Sequence, residues 1–487
     1  MTPGHVRYSF YSSLLPSALS TAFILLTGCG SSSGSLPHGT TAVTLLASST
    51  ADDRLTQFTM GLTGVSLVSK TGKEVPILTS PIYTEFMHLN GVEEPLLTVS
   101  IPPDTYTSAK ISVGFSMLDC VEVSQQGGLN GIGLSAGDVK SKNVAVSLPT
   151  PIQVSGDSTT ILLNLMAGPS SSKAVCDKGI DNFAVAPTFT LTQPAANDVG
   201  TIRNLQGIVE AVGADGSLTV SSIDGPSVRF NGPSGAAEMA APPQWQVVTA
   251  SGTVFEGLQN ASGLAVGQPV DMDVTLENGS LTATRILVTD ANPSALSLFT
   301  GPLLSANSAV EPVSVWARGG VGTPQYLGMT PFSLTGAHFG ISSALTNLSE
   351  LPFTAKFDAS SFTWGQAVDV TAHQHLNSTG SLPVTTVTLV PQTVNGAVQA
   401  ISTSGNFTEY TVSLPAYDLF PQLALQWGQS EHLDSPNIIT VYADKNAQSQ
   451  TAVPIAVGGI YRFNGLVFND NGTLRMDCVR IRDGVLD

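Results

Sequence analysis

From residue 199 onward the chain repeats itself with a period of about 95 residues, and that period restricts the architecture more than any other feature. Gly207-Ile208-Val209-Glu210-Ala211-Val212, ahead of Gly216-Ser217-Leu218-Thr219-Val220, recurs as Gly396-Ala397-Val398-Gln399-Ala400-Ile401 ahead of Phe407-Thr408-Glu409-Tyr410-Thr411-Val412. A second segment, Leu264-Ala265-Val266-Gly267-Gln268-Pro269-Val270-Asp271, matches Phe362-Thr363-Trp364-Gly365-Gln366-Ala367-Val368-Asp369 and, more loosely, Ile455-Ala456-Val457-Gly458-Gly459-Ile460-Tyr461-Arg462. Gly267, Gly365 and Gly458 are thus 98 and 93 residues apart. Units of this length are too long for solenoid coils and suit small closed barrels that each bury their own core. The expectation is three beads on a string, with the repeated glycine supplying a tight turn at positive φ.

Runs of four to eight apolar-alternating residues bounded by Gly, Asn, Asp and Pro fill the rest, without sustained helical periodicity, so the fold class is all-β with few, short helices. Phe58, Met60 and Leu62 alternate, Gly64 breaks the phase, and Val65 and Leu67 resume it before Ser69-Lys70-Thr71-Gly72-Lys73, which predicts a bulged strand and a hairpin. Ile161, Leu163 and Leu165 alternate with Leu162, Asn164 and Met166 in a strand covered on both faces, which points to a sandwich. The predicted organisation is a leader (1–28), a Ser/Gly tether (29–39), a β-sandwich (40–198) and barrels over 199–293, 294–390 and 391–487.

Two resemblances cover most of this. Ala42-Val43-Thr44-Leu45-Leu46, Val65-Ser66-Leu67-Val68, the turn Ile101-Pro102-Pro103-Asp104-Thr105-Tyr106 and Thr160-Ile161-Leu162-Leu163-Asn164 resemble domain of unknown function 4382, common in bacterial surface lipoproteins. That resemblance implies an Ig-like or transthyretin-like sandwich on a lipid anchor. Leu264-Ala265-Val266-Gly267, Val270 and Leu281-Thr282-Ala283-Thr284-Arg285-Ile286 resemble domain of unknown function 5666. Neither family brings catalytic residues with it.

At the N-terminus an apolar run from Leu14 to Leu26, too short to span a bilayer, closes on Leu26-Thr27-Gly28-Cys29 and is followed by Gly30-Ser31-Ser32-Ser33-Gly34-Ser35. This resembles the bacterial lipobox, where the leader is cut before the cysteine and the thiol is diacylated. Cys29 is the expected lipidation site, and Gly30 after it resembles lipoproteins exported to the outer membrane. The expected partner is therefore a membrane, reached through the N-terminal lipid. In that oxidising compartment Cys120 and Cys176 are a candidate disulfide whose loop of about 57 residues would contribute roughly 4 kcal/mol; two buried thiols are the alternative. Cys478, alternating with charged residues, reads as a small inward-facing hydrophobe.

Formal charge is −17, with 36 acids against 19 basic residues and no basic run, which disfavours a nucleic-acid partner. The chain holds no His-Glu-x-x-His and no Gly-rich strand-to-helix loop, so no enzyme activity and no cofactor are expected. His373 and His375 share one face of a strand and are weak metal candidates that need a third ligand from elsewhere. Asp271 and Asp273 also share a face; with Val270, Met272 and Val274 inward, the carboxylates are expected on a solvated outer face. Asp470-Asn471-Gly472 reads as a type I′ hairpin turn rather than a calcium loop. The expected role is non-enzymatic binding, adhesion or envelope structure. The alternative is glycan binding on exposed indoles of Trp245, Trp316, Trp364 or Trp427, although Trp364 aligns with apolar Val266 and reads as core. A metal-dependent hydrolase is the weakest reading.

Overall fold

A computed structural model describes residues 39–50, 55–123, 129–134, 142–170, 185–194, 199–223, 228–231, 237–288, 296–305, 313–321, 328–342, 348–426 and 433–484. The N-terminal unit contains β1 (Thr41–Ser49), β2 (Leu55–Ser69), β3 (Glu74–Leu78), β4 (Ile82–Glu85), β5 (Glu94–Ile101), β6 (Asp104–Val123), β7 (Leu129–Leu134), β8 (Lys142–Val154), β9 (Ser158–Leu165) and β10 (Phe189–Thr192), with a single helical turn, α1 (Ala167–Ser170). One sheet runs β10-β9-β1-β5, with β1 and β9 parallel; the other is built on β3-β2-β6-β7, with β4 on β2 and β8 on β6. Their inner faces, including Val43, Leu45, Phe58, Met60, Ile111 and Ile161, form one buried cluster, so the two sheets make a sandwich. The predicted bulge is present: the β2–β6 register shifts around Leu62 and Gly64, and β2 then turns into β3. At the Pro-rich turn, Tyr106 Oη donates to the Pro102 carbonyl at 3.0 Å, pinning the corner to the strand that leaves it.

Three five-stranded rings follow. The first comprises β11 (Thr201–Val212), β12 (Leu218–Ser222), β15 (Gln244–Glu256), β16 (Pro269–Glu277) and β17 (Ser280–Val288), with the small hairpin β13 (Val228–Asn231) and β14 (Ala237–Ala240) inserted before β15. The second contains β18 (Leu296–Ser305), β19 (Val313–Ala317), β20 (Gly319–Val321), β21 (Gly328–Ser333), β22 (His338–Ile341), β23 (Ala367–His373) and β24 (Leu382–Leu389). The third comprises β25 (Gln392–Ser404), β26 (Phe407–Ser413), α2 (Leu419–Gln426), β27 (Ile438–Gln450), β28 (Ile460–Asp470) and β29 (Thr473–Asp483). The first and third close in the order first-second-third-fifth-fourth strand, with only the third and fifth parallel. The middle unit runs round the same ring, because β18 pairs with both β19 and β23 while β24 pairs with β23 and with β21. Its third strand is split into β21 and β22, both parallel to β24. The other two barrels interrupt the same strand with register shifts, at Thr249/Val254 and Ala443/Gln448. This is a five-stranded Greek-key barrel of the OB type.

The repeated motif has a structural cause. Gly267, Gly365 and Gly458 all sit near φ +85° and donate their amides back to the first strand, to the carbonyls of Val209, Leu303 and Val398. The following glutamine caps the turn: Gln268 Oε1 accepts from Ala265 N at 2.7 Å, and Gln366 Oε1 from Thr363 N at 2.6 Å. The third barrel has Gly459 there, and the Tyr461 hydroxyl accepts from Ala456 N instead, at 3.1 Å. A Cβ on residue 459 would lie 2.5 Å from that hydroxyl, which explains why glutamine gives way to glycine when tyrosine takes over. The turns at Asn278-Gly279 and Asn471-Gly472 place both residues at positive φ, as type I′ hairpins require.

The barrels are not beads on a string. One continuous core joins the second and third, from Phe299 through Trp364 and Phe420 to Ile481. The first barrel packs Leu46 of β1 into its own cluster, and Trp245 Nε1 donates to the Pro95 carbonyl of the sandwich at 2.6 Å. Arg480 and Arg482 of the third barrel clasp buried Glu93 of the sandwich, Arg480 at 2.7 Å. The expectation of independent cores fails because the period reports how each barrel closes, not which outer faces are covered.

Candidate functional site

A cavity of about 180 Å³ lies where all four units meet. From the sandwich, Glu85, His88, Asn90 and Glu94 reach it; the first two barrels contribute Gln206 and Thr300, and the third contributes Asp418, Gln448, Asn464 and Arg480. Its charges are largely neutralised in place. Glu85, fully buried, accepts from the amides of Phe58, Met87 and His88, each at 2.8 Å, and from His88 Nδ1 at 3.1 Å. Burial alone would raise its pKa, but the His88 contact and the Arg318 charge outweigh burial and hold the carboxyl below its ordinary range. His88 Nε2 lies 3.1 Å from Glu94, so this ring bridges two carboxylates. Asp418 is 6% exposed and its Oδ1 caps α2 by accepting from Phe420 N at 3.0 Å; burial pushes the carboxyl up to about 7.

Beside the cavity, the outer walls of the first two barrels face each other through acids. Arg285 on β17 donates to Asp273 through Nε and to Asp271 through Nη2, both at 3.2 Å, and Glu256 lies 4.0 Å away. Asp271 and Asp273 do lie on the outer face, as alternation requires, but they are buried rather than solvated. The reason is Arg285 and the neighbouring barrel, which cover that wall. Asp369, the counterpart of Asp271 in the second barrel, accepts from Gln206 Nε2 of the first. Burial and the Asp271 charge push Asp369 up to about 8, and burial pushes Asp271 up to about 6. One oxygen of each, Asp271 Oδ1 and Asp369 Oδ1, is buried without a hydrogen-bond partner.

The sequence-predicted sites do not converge here. Cys29 and Cys176 lie outside the described residues, as does Trp427; the backbone of Cys120 sits in β6 opposite Leu55 and Ile132, and its side chain is not among those described. His373 ends β23 and His375 follows it, both exposed, and Gln374 between them donates to the Leu296 carbonyl at 3.2 Å. Among the described residues no group of three or more His, Cys, Asp or Glu could hold a metal ion. Trp245, Trp316 and Trp364 are buried, so none of these three offers an exposed platform. Trp364 is core for a reason alignment alone did not carry: Val266 and Val457 are each 62% exposed at the equivalent position, and α2 of the third barrel covers this turn in the second. Cys478 is buried and free, as expected of an inward thiol.

The ring from β11 to β17 is the part of the chain that a known family also describes. Residues 206–286 match the family model of DUF5666, a domain of unknown function. The match begins one residue before Gly207 and ends within the last strand, so it spans most of the first barrel. The second and third barrels share its ring order and its turn. A search of curated proteins found no match to the chain. Among the described residues no helix is long and apolar enough to cross a membrane.

Proposed function

We propose that this is an exported bacterial lipoprotein, anchored through Cys29 to the outer membrane, that acts without catalysis as a binding or structural component of the envelope. Its sandwich is the counterpart of the lipoprotein-associated domain 4382, and its partner is an envelope protein or glycan. The observation that carries this reading is Leu26-Thr27-Gly28-Cys29 after an apolar run and ahead of a Ser/Gly tether. The packing of four units into one body supports a scaffold rather than a flexible chain of independent binders.

The experiment is metabolic lipid labelling of the full chain in a bacterial host, compared with Cys29→Ala, followed by membrane fractionation. Label and membrane association that vanish together in the variant support the anchor. A wild-type chain that is unlabelled and free of membranes overturns it. The non-enzymatic part fails if turnover in a broad hydrolase screen disappears on replacing one carboxylate or histidine.

A further inference from the structure

The central cavity retains hydrogen-bonding capacity that the protein does not use. Asp418 lines it, 6% exposed; Oδ1 is taken by Phe420 N, while Oδ2 has no partner among the described residues. Asn464 donates through Nδ2 to Thr393 Oγ1 at 3.0 Å, which leaves its Oδ1 free. Asn90 accepts from Arg462 through Oδ1 at 3.4 Å, which leaves its Nδ2. The Gln448 side-chain amide has no hydrogen-bond partner among the described residues. These groups come from the sandwich and from three places in the third barrel, and none of the spare atoms is a sealed, orphaned one. All four residues line the open volume, which far exceeds the roughly 30 Å³ that one water occupies in the liquid.

The spare set decides the ligand chemistry. It mixes an acceptor (Asn464 Oδ1), a donor (Asn90 Nδ2), one amide that supplies both, and Asp418 Oδ2, which accepts when ionised and donates when protonated; this suits a molecule carrying several hydroxyls, each able to donate and accept. Most of the lining charges are held within the protein: Glu93 by Arg480 and Arg482, Glu85 and Glu94 by the shared His88, and Arg318 by the Thr56 carbonyl and the Glu85 charge. Phe420 and Val394 add buried apolar surface for the carbon face of a ring. We propose that this cavity binds a neutral polyhydroxylated ligand of single-sugar size, held by Asp418, Asn464, Asn90 and Gln448. The proposal rests on the non-enzymatic binding role above and names its ligand class; it moves recognition from surface indoles to the junction of the units.

The test is saturation-transfer NMR and calorimetry on the purified full chain in a sugar-free detergent. The probes are glucose, galactose, mannose, N-acetylglucosamine and myo-inositol, with ethanolamine and phosphate as charged controls. Saturable binding of at least one neutral probe, weakened roughly tenfold by Gln448→Leu and by Asp418→Asn with no fall in melting temperature, supports the site. Asparagine still caps α2, so Asp418→Asn keeps the fold while replacing the free carboxylate oxygen. Binding of none of the neutral probes overturns the proposal, as does binding of a charged control alone or binding that both variants leave unchanged. Lipid labelling that succeeds while sugar binding fails removes this inference and leaves the anchor intact. Binding that survives in an unlabelled chain does the reverse.

Discussion

Asp369→Asn tests the account of the barrel interface through its pH dependence. In the unfolded chain this carboxyl ionises near its ordinary value of 3.8, whereas in the fold burial and Asp271 push it up to about 8. Between those values the unfolded state binds fewer protons than the folded one. Stability must therefore fall as pH rises from about 4, by about 1.4 kcal/mol per pH unit for a single group, and level off above about 8. By pH 7 the accumulated loss from this one residue is about 4 kcal/mol. Asparagine does not titrate, keeps an oxygen to accept from Gln206 Nε2, and places an amide where Asp369 Oδ1 has no partner. The variant should match the wild type near pH 4 and exceed it by a few kcal/mol at pH 7 to 8. Urea unfolding at pH 5, 6, 7 and 8, followed by fluorescence of the buried indoles of Trp316 and Trp364, measures the difference. Parallel stability profiles for the two proteins across that range would refute a neutral, buried Asp369.

Arg285→Met should cost about 3–5 kcal/mol at neutral pH, because Asp271 and Asp273 lose their shared cation while staying buried. The deficit should shrink toward pH 4, as Asp271 takes up a proton at about 6; urea titrations at the two pH values check both points. Gln366→Ala removes an acceptor for Thr363 N and a donor to the Val467 carbonyl at 2.8 Å, both buried, and should cost about 2–4 kcal/mol. Gln268→Ala, losing only the bond from Ala265 N, should cost about 1 kcal/mol in the same denaturation assay. Trp364→Ala opens the core shared by the second and third barrels and should cost about 3–5 kcal/mol, and calorimetry should show those two barrels melting together in the wild type. Burial pushes the Cys478 thiol far up, so it should resist alkylation in the native protein and react at once in urea.

The interior of each barrel was legible because it obeys a local rule. Val270, Met272 and Val274 alternate inward, the glycine of each repeat opens the fourth strand, and the Asn-Gly hairpins declare themselves in two residues. Trp364 aligned with Val266 was enough to suggest core, yet the two positions differ from buried to 62% exposed. That difference is set by α2, a helix more than fifty residues away in sequence that a single turn of Leu-Phe-Pro-Gln does not announce. Asp271 and Asp273 illustrate the same gap: alternation puts them outside correctly, while whether outside means water depends on Arg285 and on another barrel. The central cavity left no short motif at all. Asn90, Asp418, Gln448 and Asn464 stand apart in the chain, and only the docking of the units brings them together.

The register of the barrels shows where the repeats stopped being alike. The inward partners Leu205 and Met272 correspond to Phe299 and Val370 and to Val394 and Phe463, all apolar, so each barrel solves the same packing problem with interchangeable side chains. The next outward pair is Gln206 with Asp271, then Thr300 with Asp369, then Asn395 with Arg462. These positions differ in charge and shape, and each meets a different neighbour: Gln206 holds Asp369 across the first two barrels, while Arg462 donates to the Ser49 carbonyl of the sandwich at 2.9 Å. A buried polar contact is costly when mismatched, so three copies of one barrel with identical outer walls could not distinguish their docking partners. Exchanging the outer pairs, Asp369→Arg with Arg462→Asp, should leave each barrel able to close and disrupt how the units dock. Retained barrel circular dichroism with loss of the single melting transition is the expected result; an unchanged transition would mean that apolar burial alone orients the units.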